Sequence, residues 1–183
     1  MAITDFLAEF RRATEAKWSN TSINPTIYGF QIQRGTRWNV GLSVKLIEEY
    51  ESVLSTRFPN DFRSFLLEMN GTDLPTLNVN APAGSQRESV GVYSYPRDIE
   101  IVKTLVERIR ISEHEIISDL AGQGFQLTVE ASLVPIYGHR YVVCTPDLSR
   151  STVLSIIVHD ADAIVYGNSL MEYLETEFLR ATS

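Results

Sequence analysis

Four apolar segments crowd into residues 133–166, and the connections between them leave little choice of fold. Leu133–Tyr137, Arg140–Cys144, Val153–His159 and Ala163–Tyr166 are separated only by Gly138-His139, Pro146–Arg150 and Asp160–Asp162. A parallel crossover needs a dozen or more residues, so strands joined this closely run antiparallel. The segments before them carry helical spacing instead. Thr4 can cap a first helix with Phe6, Leu7, Phe10 and Trp18 on its apolar side. Ser43 opens a second on Leu46, Ile47, Tyr50 and Leu54, and Phe58-Pro59 stops it. Asn60 caps a third that buries Phe62, Phe65, Leu66 and Met69, with Asn70-Gly71 read as its left-handed stop. Pro96-Arg97-Asp98 opens a fourth on Ile99, Val102, Val106 and Ile109. Ser112 and Glu115 form a capping box for a fifth that runs to about Gly122. Asn168 caps the last, packed through Leu170, Tyr173, Leu174 and Phe178. Between these, residues 19–41 read as irregular with a short strand near Tyr28–Gln33. Residues 72–88 read as a loop with a short strand at Leu77–Val79, and Ser89–Tyr95 reads as a strand. Helices, then antiparallel strands, then a helix indicate an α+β fold.

With 183 residues, 44% of them hydrophobic, the chain suits one core that buries about 70% of the unfolded surface. The net charge is −7, distributed as −1 over residues 1–91 and −6 over residues 92–183. No cluster of cations is present to release counterions, so direct nucleic-acid binding is not expected. An acidic half instead suits a basic protein partner, although an ordinary solubilising surface looks the same in sequence. The one cysteine, Cys144, allows no internal disulfide and suits a reducing compartment. Residues 1–10 lack the basic and apolar regions of a signal peptide, and no run is long and apolar enough for a membrane span. A cytoplasmic protein without a membrane role is therefore expected.

Catalytic chemistry finds little purchase. Cys144 lies in an apolar strand and reads as a core thiol. His114, His139 and His159 lack metal-ligand spacing, and residues 159–162 (HDAD) read as a hairpin turn before they read as oxygen ligands. Gly122-Gln123-Gly124 precedes a strand instead of opening a helix, so it is not a phosphate cradle. Glu48-Glu49 belongs to a solvated helix face. No catalytic residue, metal ligand or cofactor is assigned, and the chain is not expected to be an enzyme. The candidate contact residues are Trp38, Tyr93 and Tyr95, aromatics in loop or strand-edge settings that also suit core packing. Asp160, Asp162, Glu172 and Glu175 join them as acidic side chains in turn or outward helical positions.

One stretch is more specific. Leu46-Ile47-Glu48-Glu49-Tyr50-Glu51, the corner Phe58-Pro59-Asn60-Asp61-Phe62, the pair Phe65-Leu66 and Met69-Asn70-Gly71 together resemble the hallmark of the SUKH superfamily. Leu133-Val134-Pro135-Ile136-Tyr137-Gly138 is similar to its central strand, and Val165-Tyr166 with Ser169–Leu179 to its closing helix. These elements occur in the family's order over about residues 43–180. The tryptophan-rich strand that follows the Asn-Gly pair in the family is here a longer polar loop, and the first 40 residues have no counterpart. The resemblance implies a single domain over 43–183, with a mixed, mostly antiparallel sheet flanked by helices. Residues 1–42 are then an N-terminal helix and irregular extension packed on it. It also implies a non-enzymatic, protein-binding role. Bacterial members resemble immunity proteins that neutralise a cognate polymorphic toxin; with the net charge of −7, a basic nuclease is the toxin expected here. Fungal members resemble regulators, so a regulatory or scaffold module acting on a cellular enzyme is the alternative. A homo-oligomer is compatible with either.

Overall fold

Burial of aromatic side chains from both ends of the chain organises the structure, a computed structural model that describes residues 2–80, 85–128, 130–149, 151–157 and 162–180. In chain order the elements are α1 (Ile3–Ser19), β1 (Gly29–Ile32), β2 (Trp38–Val40), α2 (Val44–Leu54), α3 (Asn60–Glu68), β3 (Met69–Thr72), β4 (Thr76–Asn80) and β5 (Ser85–Ser89). There follow α4 (Ile99–Ile111), α5 (Glu113–Gly122), β6 (Ser132–Tyr137), β7 (Arg140–Cys144), β8 (Val153–Ile157), β9 (Asp162–Gly167) and α6 (Leu170–Leu174). A π-helical segment, Glu175–Arg180, continues α6. Every strand pairing among the described residues is antiparallel, in three sheets: β1-β4-β5, β2-β3 and the meander β6-β7-β8-β9. The fold is α+β.

The pleat of β7 divides the interior. Tyr141 and Val143 point to one face of the meander, where α4 and α5 cover it with Ile109, Ile116 and Leu120. Val142 and Cys144 point to the other, joining a larger core built from α1, α2, α3 and the C-terminal helix. In that core Trp18, Trp38, Tyr137 and Phe178 meet with ring centroids 5.2–5.9 Å apart. At its Ala163 end the outer edge of β9 is covered by side chains of α5: Asp119 accepts from the Ala163 N–H at 2.9 Å and Gln123 donates to the Ala163 carbonyl at 2.7 Å.

Several helix and strand boundaries differ from the sequence reading. Helix α1 begins at Ile3 with Ala2 as cap, so Thr4 lies inside it. Helix α2 ends at Leu54 on a left-handed Ser55, short of Phe58-Pro59. Pro59, not Asn60, occupies the cap position of α3. Ser112 ends α4 and begins α5, but its hydroxyl makes no cap bond, because the two helices follow one another without an extended residue between them. Ser169 replaces Asn168 as the α6 cap, accepting from the Glu172 N–H at 3.2 Å. The largest departure is at Asn70-Gly71. These residues do not stop α3; they form the buried strand β3, and Gly71 takes φ +70° inside it. Residues 72–88 are not loop alone but carry the β4-β5 hairpin, whereas 90–95 contribute only an isolated bridge, Val92 to Tyr137, in place of the expected strand.

Candidate functional site

The motif corner between α2 and α3 turns its acids inward. Glu51 is 5% exposed; its carboxylate accepts the Phe58 N–H at 2.7 Å and pairs with Arg63, with Arg57 at 3.9 Å. Asp61 accepts the Ser151 N–H at 3.0 Å and the Ser151 hydroxyl, tying the corner to the segment that enters β8. Phe58, Phe62 and Phe65 pack behind them. Glu51 and the three phenylalanines are buried and hold the corner, while Asp61 is partly exposed with both carboxylate oxygens engaged by Ser151.

The candidate aromatics divide similarly. Trp38 is 3% exposed, so the reading of it as a surface contact gives way to core packing. Its indole N–H donates to the Thr14 hydroxyl at 2.8 Å, and Phe10 and Phe65 lie against its ring. Tyr93 is half-buried and donates its hydroxyl to the Gly138 carbonyl at 3.1 Å. Burial pushes its phenol well up. Tyr95 stacks on Tyr50 at 4.6 Å and exchanges two hydrogen bonds with Asn70. Both tyrosines hold the 92–95 segment against β3 and the β6-β7 turn.

The acidic candidates stay at the surface. Asp162 begins β9 and is exposed; Glu172 is exposed on α6 and accepts the Asn168 N–H. Glu175 is partly exposed and pairs with Arg180. Asp160 lies outside the described residues, as do His159 and Ala161. Asp162 comes beside α5, because Asp119 binds the neighbouring Ala163. Glu115 and Asp119 line a shallow depression on the same edge, and Glu113 precedes them. The fold therefore gathers Glu115, Asp119 and Asp162, while Glu172 lies at the far end of the six-residue β9, about 17–20 Å away. In the sequence nothing singles out Asp119, and Glu115 reads only as a capping-box partner; their i, i+4 spacing is the one signal that pairs them.

A second polar cluster lies under the β6-β7 turn. Arg140 donates from Nε to Glu177 at 3.0 Å and from Nη1 to Ser155 at 2.7 Å, and stands 3.9 Å over the Tyr166 ring. Burial alone lowers the guanidinium pKa, but Glu177, Tyr173 and Tyr166 outweigh it and raise it overall. The hydroxyl of Tyr173 is buried in this cluster without a hydrogen-bond partner among the described residues. A cleft of about 730 Å³ opens beside it, lined by Tyr28, Phe30, Arg108, His139 and Glu177. Burial, reinforced by Arg140, lowers His139 to about 4, so the imidazole is neutral at pH 7. Cys144 is a buried thiol that burial pushes up, away from thiolate chemistry. No group of metal-ligating side chains is found among the described residues, and no described helix is long and apolar enough to cross a membrane.

No protein-family model matches the chain, and no curated protein matches it.

Proposed function

We propose that this chain is a cytoplasmic, non-enzymatic binding domain of SUKH type, an immunity protein that occludes a basic toxin domain. The observation that carries the reading is the way the C-terminal half holds its charges. Most of its described cations are paired with carboxylates, Arg97 with Asp98, Lys103 with Glu100, Arg110 with Glu107, Arg140 with Glu177 and Arg180 with Glu175, and Arg108 alone of them is exposed without an ion pair among the described residues. Glu113, Glu115, Asp162 and Glu172 remain exposed, with no ion pair among the described residues. Uncompensated acids attract a basic partner and raise its on-rate more than its final affinity. The order of motif elements from Leu46 to Leu179 supports the same reading.

Co-expression with the C-terminal domain of the neighbouring gene's product, scored for growth rescue and for a stable complex, tests the proposal. Rescue with a complex is expected; neither rescue nor binding would overturn it, and binding to a cellular enzyme instead would favour the regulatory module. In the complex, the on-rate is expected to fall at least about tenfold from low to high salt, since the Debye length shrinks to about 8 Å at physiological strength. Asp162→Lys and Glu172→Lys are expected to lower it further without unfolding the chain. An on-rate indifferent to salt would remove the electrostatic part of the argument.

A further inference from the structure

The outer edge of β6 borders an opening of its own. Val143 donates its N–H to the Thr152 carbonyl and His139 accepts from the Ile156 N–H, both at 2.9 Å, so alternate β7 residues turn their backbone groups toward β8. Leu133 lies opposite Val143, at a position of the β6-β7 ladder without hydrogen bonds, and so directs its own N–H and C=O away from β7. Leu133 is 6% exposed, yet neither group has a hydrogen-bond partner among the described residues. Buried backbone groups are rarely left unpaired. Pro135 faces the same way and has no N–H, which a strand tolerates at an edge.

Beside this edge is a cavity of about 330 Å³, walled by Leu54, Val106, Ile109, Ile116 and Leu127. That is at the small end of the roughly 300–1,000 Å³ typical of ligand pockets. Arg110, Glu113 and Glu130 stand at its mouth. Arg110 is engaged by Glu107 at 3.7 Å, whereas Glu113 and Glu130 are exposed and without an ion pair among the described residues, so the mouth is acidic.

We propose that this edge receives an extended segment of a basic partner protein by strand addition. The segment pairs one residue with the N–H and C=O of Leu133 and places that residue's apolar side chain in the cavity. Lys or Arg two positions to either side, on the same face of the added strand, meet Glu113 and Glu130. Pro135 limits the pairing to the Leu133 end of β6. Backbone pairing supplies affinity and the cavity supplies selectivity. The inference rests on the protein-binding reading above and gives that binding a second, specific foothold.

The probe is the peptide acetyl-KTLTK-amide titrated into the full-length ¹⁵N-labelled protein. The Leu133 amide is expected to shift and to exchange more slowly as peptide is added, while the amide of Val134, already paired with β7, changes little. Replacing the central leucine by glycine, or N-methylating it, is expected to weaken binding about tenfold or more. An undisturbed Leu133 amide at millimolar peptide, or equal binding by the N-methylated peptide, would overturn the inference. Growth rescue on co-expression with the toxin domain, together with failed peptide binding, removes strand addition and leaves the immunity reading standing. Peptide binding without rescue does the reverse.

Discussion

Three glycines separate two kinds of backbone constraint, and alanine scanning across them measures each. Gly35 has φ +83° with nothing within 4 Å of an added Cβ, so Gly35→Ala carries conformational strain alone. That strain is about 1–2 kcal/mol, offset by about 0.4–1 kcal/mol from the stiffer unfolded chain, leaving a loss of about 1 kcal/mol. Gly71 has φ +70° and an added Cβ 2.6 Å from the Val92 carbonyl oxygen, 2.8 Å from the Ser94 Cβ and 2.9 Å from the Tyr93 carbonyl carbon. Gly71→Ala therefore adds to the same strain the displacement of a packed backbone segment, about 1–3 kcal/mol, for a total loss of about 2–4 kcal/mol. Gly41 is not left-handed, but its Cβ would meet the Leu67 carbonyl, so Gly41→Ala tests crowding without strain. Urea unfolding followed by tryptophan fluorescence reads the three. With a slope of about 2 kcal/mol per molar, the Gly71→Ala midpoint is expected to fall by about 1–2 M and the Gly35→Ala midpoint by about 0.5 M. Equal shifts at Gly35 and Gly71 would show that the 92–94 segment yields freely, and the account of β3 as a tightly backed strand would fail.

Phe65→Ala, at a residue 1% exposed and edge-on to Trp38 at 5.8 Å, is expected to cost about 3–5 kcal/mol in the same assay; a change under 1 kcal/mol would remove the α3 stripe from the core. Tyr173→Phe deletes a buried hydroxyl without a partner and is expected to leave stability unchanged or raise it by about 1 kcal/mol; a clear loss would reveal a hidden bond. His139 is lowered to about 4 against 6.5 in the unfolded chain, so the unfolded state binds the extra proton between those values and stability falls as pH drops through that window. His139→Gln is expected to flatten the fall between pH 6.5 and 4, and an unchanged slope would assign it to other groups.

The meander was readable because its connections are short enough to force the pairing, and its strand centres in the structure match the apolar segments that marked them. Ser43 was readable as a cap for an equally local reason: its hydroxyl accepts from Leu46 within the first turn of α2. What escaped the sequence depends on distant partners. Asn-Gly suits a helix stop and a turn alike, and only pairing with β2, some 30 residues earlier, makes Asn70-Gly71 part of a strand, backed by Val92–Ser94. Trp38 looks the same in sequence whether exposed or buried; Thr14, 24 residues earlier, decides the matter by accepting its N–H. Leu77 and Val79 marked β4 as a short strand, but β5, Ser85–Ser89, carries no apolar residue, so nothing announced the hairpin. Among the acids, sequence could not distinguish Glu51 and Asp61, drawn inward by Arg63 and Ser151, from Glu172, which stays out.

The bonds from Asp119 and Gln123 to Ala163 also bear on how the chain escapes misassembly. A sheet edge with free N–H and C=O groups is a template on which other chains can grow, and newly made strands are exposed to that hazard before the fold closes. Helix α5 precedes β9 in the chain, so during synthesis the blocking side chains leave the ribosome before the strand they cover. The edge has its own cover at hand as it forms. By the same logic, detachment of α5 would bare the Ala163 end of β9 without global unfolding, and one glutamine and one aspartate guard that end of the sheet.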